Sequence, residues 1–212
     1  MKKIGTAAVA AFAAAFALSA PAHAGVLENI QLKVGVSGIL PNESANTSIG
    51  GDVDISDEYV PTLQIEYFFT DNISAELLCC VATHDVRAVG TAAGDVDLGE
   101  VTHFPPTVTL KYRWTDFGQF QPYVGAGVNY TAFIDDEIPS SGPVTGIDYD
   151  ASFGGALQAG FDYRLDDHWA FNFDVRRIWI NTDVNIATTL GPVTADVDIN
   201  PWVVSTAIGY RF

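Results

Sequence analysis

Trp202-Val203-Val204-Ser205-Thr206-Ala207-Ile208-Gly209-Tyr210-Arg211-Phe212 alternates strictly. Trp202, Val204, Ile208, Tyr210 and Phe212 share one parity; Val203, Ser205, Ala207, Gly209 and Arg211 share the other. Successive side chains of a β-strand point to opposite faces. The segment therefore predicts a strand with one bulky apolar face and one small face that carries a charge at its end. Aromatics at both ends of the bulky face suit a strand that crosses a bilayer, with rings at the two interfaces. A soluble sandwich would instead turn that face into a core.

The start of the chain bears on the choice. Lys2 and Lys3 precede an Ala-rich apolar run from Ile4 to Leu18, followed by Pro21-Ala22-His23-Ala24. This is the n-region, h-region and A-x-A site of a secretory leader. The run is short for a spanning helix, which needs about 20 residues. The expected organisation is a signal peptide over residues 1–24 and one domain over 25–212. No other apolar run approaches spanning length, so membrane embedding would take barrel form. Hydrophobic content of 48% and aromatic content of 12% are spread along the chain, as in barrels that escape hydropathy plots.

Losing Lys2 and Lys3 with the leader leaves 8 basic residues against 26 acidic ones, a formal charge of −18. Nucleic acid and anionic surfaces recruit basic patches, so no nucleic-acid partner is expected. Cys79 and Cys80 are the only cysteines. Neighbours on a strand face opposite ways, and a bridge between them would be badly strained. They read as two free thiols, with metal or redox chemistry as the alternative.

Alternation recurs over Gln31–Ile39, Val60–Thr70, Ile73–Val89, His103–Trp114, Phe120–Ile134, Ile147–Leu165, Trp169–Thr189 and the closing strand. Asp71-Asn72, Thr115–Gln119 and Asp166-Asp167-His168 read as tight turns. Pro41–Asp57, Gly90–Glu100 and Asp135–Gly146 read as long polar loops. The predicted fold is all-β, an eight-stranded antiparallel transmembrane β-barrel in the outer membrane of a Gram-negative bacterium. Short periplasmic turns and long outer loops are the pattern of that class. An aromatic last residue, Phe212, resembles its terminal signature.

Charge placement tests this reading. Lys33, Lys111, Arg113, Arg164, Arg176 and Arg211 lie on the parity opposite to the apolar face, as do Glu66, Glu76, Asp162 and Asp174. Arg or Lys on a lipid face costs roughly 2–4 kcal/mol at the midplane, so these ten are expected to form an interior charged plug. A sandwich would have to bury all of them in its core. Seventeen acids fall in or beside the outer loops. They read as a solvated, self-repelling rim, with divalent cations as the alternative; no run matches an EF-hand loop.

His103-Phe104-Pro105-Pro106-Thr107 and Gln121-Pro122-Tyr123-Val124-Gly125-Ala126-Gly127-Val128-Asn129-Tyr130-Thr131 resemble the OmpW family of outer-membrane proteins. So do Thr70-Asp71-Asn72-Ile73, Asp198-Ile199-Asn200-Pro201-Trp202 and Gly209-Tyr210-Arg211-Phe212. The likeness runs in order through the whole mature chain. It implies a monomeric barrel with a hydrophobic channel in its outer half, closed towards the periplasm. It implies passive uptake of small hydrophobic molecules, released sideways into the membrane as in related alkane-uptake proteins. Outer-membrane lipid, lipopolysaccharide and the barrel-assembly machinery, through the C-terminal strand, are the partners it suggests. Two points depart from the family pattern: Cys79-Cys80 where small residues are expected, and Arg176-Arg177 where aromatics are expected near the channel.

The residues support part of this directly. Ile39, Phe133, Ile178, Ile180 and Val203 are inward candidates in the outer halves and would line an apolar channel above the plug. Pro41, Pro61, Pro105, Pro106 and Pro201 fall near outer strand ends. Proline cannot donate to the ladder, so these positions mark either a lateral opening or simple strand ends. No catalytic activity, cofactor or metal site is expected: no Ser–His–acid spacing stands out, and the mature histidines are only His84, His103 and His168. A structural or adhesive barrel working through its acidic loops is the alternative function.

Overall fold

The alternation of the closing strand repeats round the molecule and builds a wall of eight staves. The computed structural model describes residues 28–92 and 94–212; the leader expected over residues 1–24 lies outside the described residues. The first stave is β1 (Ile30–Leu40) continued by β2 (Ser44–Thr47), and the second is β3 (Asp52–Ile55) with β4 (Glu58–Phe68). The third joins β5 (Ile73–Cys79) to β6 (Ala82–Thr91), and the fourth β7 (Gly94–Phe104) to β8 (Thr107–Arg113). β9 (Phe120–Glu137) is the unbroken fifth. The sixth joins β10 (Val144–Tyr149) to β11 (Ser152–Arg164), the seventh β12 (Trp169–Ile178) to β13 (Asn181–Thr188), and the eighth β14 (Gly191–Asp198) to β15 (Trp202–Arg211).

The lower parts of the staves form a closed antiparallel ring, β11-β12-β15-β1-β4-β5-β8-β9, with β9 returning to β11. β15 meets β1 in continuous register from Gln31↔Arg211 to Leu40↔Trp202. The Phe212 N–H donates to the Ile30 carbonyl at 3.1 Å. Closure removes the exposed edge that an open sheet would present. Three tight turns join staves at the lower end. In one, the Asp166 carboxylate accepts the His168 and Trp169 N–H groups at 2.8 and 2.7 Å. In another, the Thr70 hydroxyl accepts from Asn72 and Ile73 at 3.3 and 3.0 Å. Short turns mark the periplasmic end of such barrels.

The two faces of the ring differ in kind. Outward-facing Val34, Leu110 and Leu157 are 65%, 59% and 52% exposed. Inward-facing Lys33, Glu66 and Asn172 are wholly covered. An apolar band of this extent requires lipid around it.

Above the ring the wall continues as two sheets. In one, β7 pairs with the upper end of β9, β6 with β7 and β3 with β6; β10, β13, β14 and β2 form the other. The β2–β3 hairpin links them, with the Gly50 N–H donating to the Thr47 carbonyl at 3.2 Å. Along the seventh stave parity continues but chemistry inverts. Phe171, Phe173 and Val175 face out in β12, around inward Asn172, Asp174 and Arg176. In β13, Asn181, Asp183 and Asn185 face out, and Thr182, Val184 and Ile186 face in. Water has replaced lipid outside, so the polar residues move there.

This extension corrects the sequence reading, which assigned Pro41–Asp57, Gly90–Glu100 and Asp135–Gly146 to loops. β2, β3 and most of β7 lie in those stretches, β9 runs on to Glu137, and β10 starts at Val144. The cause is packing. Asp52-Val53-Asp54-Ile55 and Asp95-Val96-Asp97-Leu98 look polar overall, but every second residue is apolar. Those residues join Val86, Val101, Val144, Ile147, Val184 and Ile186 in one buried cluster.

Candidate functional site

Alternation on six staves brings eight charged side chains into the lumen of the ring. Lys33 comes from β1, Glu66 from β4, Glu76 from β5, Lys111 and Arg113 from β8, Asp162 from β11, and Asp174 and Arg176 from β12. All eight are at least 97% buried. The Lys33 Nζ donates to Glu66 Oε2 and Glu76 Oε2 at 2.5 and 2.6 Å, and the Lys111 Nζ to the same oxygens at 3.0 and 2.9 Å. The Arg113 Nη2 spans Glu66 Oε1 at 2.9 Å and Asp162 Oδ2 at 2.5 Å. The Arg176 Nη2 reaches Glu76 Oε1 at 2.8 Å and lies 3.4 Å from Asp174 Oδ1. Four cations face four carboxylates. Buried charges are tolerated only when paired and hydrogen-bonded in this way.

Neutral side chains complete the layer. The Tyr123 hydroxyl donates to Asp174 Oδ2 at 2.9 Å and accepts from Asn172 Nδ2 at 2.9 Å. The Tyr123 ring lies 3.7 Å from the Lys111 ammonium, a cation–π contact. Gln158 bridges Thr109 and Glu76 at 2.6 and 3.3 Å. Tyr123, Asn172, Gln158 and Thr109 carry no charge, so the placement of charges along the sequence does not reveal them. Their inward parity was the available signal.

Arg164 and Arg211 stand apart from the layer. Both side chains are partly exposed, Arg164 at 3.5 Å from Asp167 and Arg211 at 3.9 Å from Asp71. They line a vestibule of about 700 Å³ at the turn end, together with Gln31, Phe68 and His168. Parity fixes the face of a strand but not the depth, and both residues end their strands.

A hydroxyl belt lies above the charges. Ser37 meets Thr62 at 3.2 Å and Ser205 at 2.6 Å. Higher still the lumen turns apolar. Ile39 packs with Val60, Cys80 and Ala82, while Ile178, Ile180 and Val203 pack with Ala156. Above these two clusters the extension encloses a cavity of about 380 Å³, walled by Val53, Ile55, Val86, Leu98, Val101, Phe133, Tyr149, Val184, Ile186 and Val197 among others. Of the five channel candidates, Phe133 alone lines this cavity, stacked on Tyr149 with ring centres 5.1 Å apart. Burial pushes the Tyr149 phenol up to about 12, and the Asp136 carboxylate adds to the shift. The His84 and His103 rings stack at 5.1 Å beside the lumen, and the His84 Nδ1 donates to the Ser56 carbonyl at 2.7 Å.

The wall is interrupted at this height. The ladder between β4 and β5 ends at Leu63↔Cys79 and resumes between β3 and β6 at Ile55↔Val86. Ser56 alone bridges the interval by backbone, its N–H donating to the Asp85 carbonyl at 3.1 Å. Pro61 lies within this interval, and Pro105 and Pro106 separate β7 from β8 on the next stave. On its β9 side Pro106 is joined, the Tyr130 N–H donating to its carbonyl at 3.1 Å; at Pro41 and Pro201 the wall is joined as well, Asn42 N–H donating to the Ile199 carbonyl at 3.0 Å and Ile178 N–H to the Pro201 carbonyl at 3.2 Å. The ladder between β9 and β11 stops at Thr131↔Ser152, above which β10 pairs with β13. Cys79 and Cys80 are both free thiols, the first half-buried and the second buried. Among the described residues no group of three or more His, Cys, Asp or Glu side chains is placed to hold a metal ion.

The comparisons agree with this architecture. The chain is 40% identical over 199 residues to the uncharacterized outer-membrane protein y4mB of Sinorhizobium fredii, covering 91% of this chain and 85% of that one. It is 31% identical over 166 residues to the dibenzothiophene metabolism operon protein PahQ of Pseudomonas aeruginosa, covering 77% and 76%. The crystal structure of the outer membrane protein OprG from Pseudomonas aeruginosa superposes with a TM-score of 0.80 at 29% identity, covering 86% of this chain and 95% of that one. The profile of the OmpW family matches residues 27–212, and the chain belongs to that family of Gram-negative outer-membrane β-barrels.

Proposed function

We propose that this barrel is a non-enzymatic channel for passive uptake of small hydrophobic molecules. Solute enters the cavity of the extracellular extension, is stopped downwards by the ionic layer, and leaves sideways through the wall into the membrane. The observation that carries the reading is vertical order: an apolar cavity of about 380 Å³ stands above a layer of eight buried charges. Moving an apolar solute through that layer would strip the charges of partners, so the lower route is costly. The ladder interruption between Leu63↔Cys79 and Ile55↔Val86 opens beside the apolar clusters of the upper lumen. Pro61, Pro105 and Pro106 fit the edges of such an exit, and Pro41 and Pro201 fit hydrogen-bonded parts of the wall.

A fused aromatic suits the cavity, since the stacked rings of Phe133 and Tyr149 are part of its lining. The relative named for a dibenzothiophene metabolism operon supports the same class. The expected assembly is a monomer in outer-membrane lipid, inserted through its C-terminal strand, with residues 1–24 removed. Uptake of a labelled two-ring aromatic by cells with and without the protein tests the proposal. Equal rates reject it.

A further inference from the structure

Arg176 and Arg177 are neighbours in β12, and a strand sends neighbours to opposite faces. Arg176 joins the inward ionic layer. Arg177 points outward and is the one charged side chain on the outward parity of β11, β12 and β15. In the register it lies between Leu157 of β11 and Trp202 of β15. Its guanidinium carbon sits 5.1 Å from the Trp202 ring centre. The ring of Trp179, two residues on, covers Gly155, where a Cβ would lie 3.5 Å from it.

The described residues include eight basic side chains, and six of them have an acidic partner within 4.0 Å. Arg87, one of the other two, lies in the solvated extension with Asp54 and Asp97 as register neighbours. Among the described residues Arg177 has no acidic partner within 4.0 Å, and its Nη1 is buried without a hydrogen bond. An arginine costs several kcal/mol on a lipid face at the midplane but only about 0–1 near an interface. Arg177 sits at the upper end of the ring beside two tryptophans, the residue type that marks headgroup level. A guanidinium there satisfies its donors most fully with a phosphate, which accepts its fork bidentately. The exposed indoles of Trp179 and Trp202 add N–H donors beside apolar rings.

The geometry points to a binding site for the phosphate of an anionic outer-leaflet lipid, formed by Arg177 with Trp179 and Trp202. Acyl chains would run down past Leu157. Asp196 and Asp198, tied together by the Asn181 amide at 2.7 and 3.2 Å, stand above on the outward side. Their charge keeps the headgroup from rising past Arg177. The site is independent of the uptake reading.

Native mass spectrometry of the purified barrel in detergent tests it. The probes are lipid A, its dephosphorylated form, and inorganic phosphate as competitor. The variants are Arg177→Gln, Arg177→Lys and, as control, Arg87→Gln, each checked for the folded species by gel mobility with and without heating. Wild type and Arg87→Gln are expected to retain lipid A, and Arg177→Gln to bind it about tenfold more weakly, with lysine in between. Wild type is expected to hold the dephosphorylated lipid weakly, and millimolar phosphate not to displace lipid A. Equal retention by Arg177→Gln, equal retention of the dephosphorylated lipid, or displacement by phosphate would each overturn the assignment. If Arg177→Gln fails to fold, the two lipids on wild type decide it.

Discussion

Arg176 and Glu76 meet in the lumen at 2.8 Å although 100 residues separate them in the chain. The contact ties the seventh stave to the third across the barrel. Glu76 also accepts from Lys33, Lys111 and Gln158. Replacing it by leucine leaves three cations short of an anion in a buried layer. Glu76→Leu should destabilise the barrel by about 3–5 kcal/mol, read as a shift in urea unfolding in bilayers. Arg164→Gln removes a partly exposed pair with Asp167 and should cost less than about 1 kcal/mol. Similar losses in both variants would show that the layer has no special structural role.

Leu98 projects from β7 into the apolar cavity and is 8% exposed. Leu98→Trp should fill part of the roughly 380 Å³ space. It should slow uptake of two-ring aromatics severalfold while changing stability by about 1–3 kcal/mol. Unchanged uptake by a folded variant would place the route elsewhere.

At Gly127 a Cβ would stand 1.9 Å from the Val108 carbonyl oxygen. Backbone cannot yield as a flexible side chain does, so Gly127→Ala should disturb the β8–β9 register. Folding yield should fall, with at least about 1–3 kcal/mol of lost stability. Normal refolding yield would contradict the close approach of these strands.

Tyr149 supplies a pH test. Its phenol stays protonated to about 12 in the folded protein because burial and then Asp136 oppose the phenolate, whereas an unfolded tyrosine ionises near pH ~10. The folded-state value is the higher one, so stability is intact below pH ~10 and is lost as pH rises towards 12. Tyr149→Phe should reduce that alkaline loss and remove one late step from the phenolate absorbance titration. Identical alkaline unfolding of both proteins would rule the buried phenol out.

The closed ring was legible because alternation is a direct record of lipid outside and lumen inside. Trp202–Phe212 shows both faces within eleven residues. Depth was not legible. Arg211 and Arg176 share inward parity, yet one lines the turn-end vestibule and the other the buried ionic layer, because position along the strand decides it. The extension was hidden by its own chemistry. Val184 and Ile186 sit among Asp183, Asn185 and other polar residues, and a stretch that averages polar reads as loop until its inward half is counted separately. Ile178, Ile180 and Val203 do face inward, but below the cavity that Val53, Leu98 and Val184 enclose. Tyr123 and Asn172 escaped because a neutral side chain within an ionic layer carries no charge signal.

The central claim is that apolar solutes pass through the upper lumen and the wall while the ionic layer stays shut. The most direct test measures two labelled solutes in the same cells, a two-ring aromatic and a hydrophilic sugar of similar size. Cells making the wild-type barrel are expected to take up the aromatic faster than cells without it and the sugar at the same rate, with Leu98→Trp cutting the gain severalfold. Faster uptake of the sugar, or no gain for the aromatic, would contradict the account.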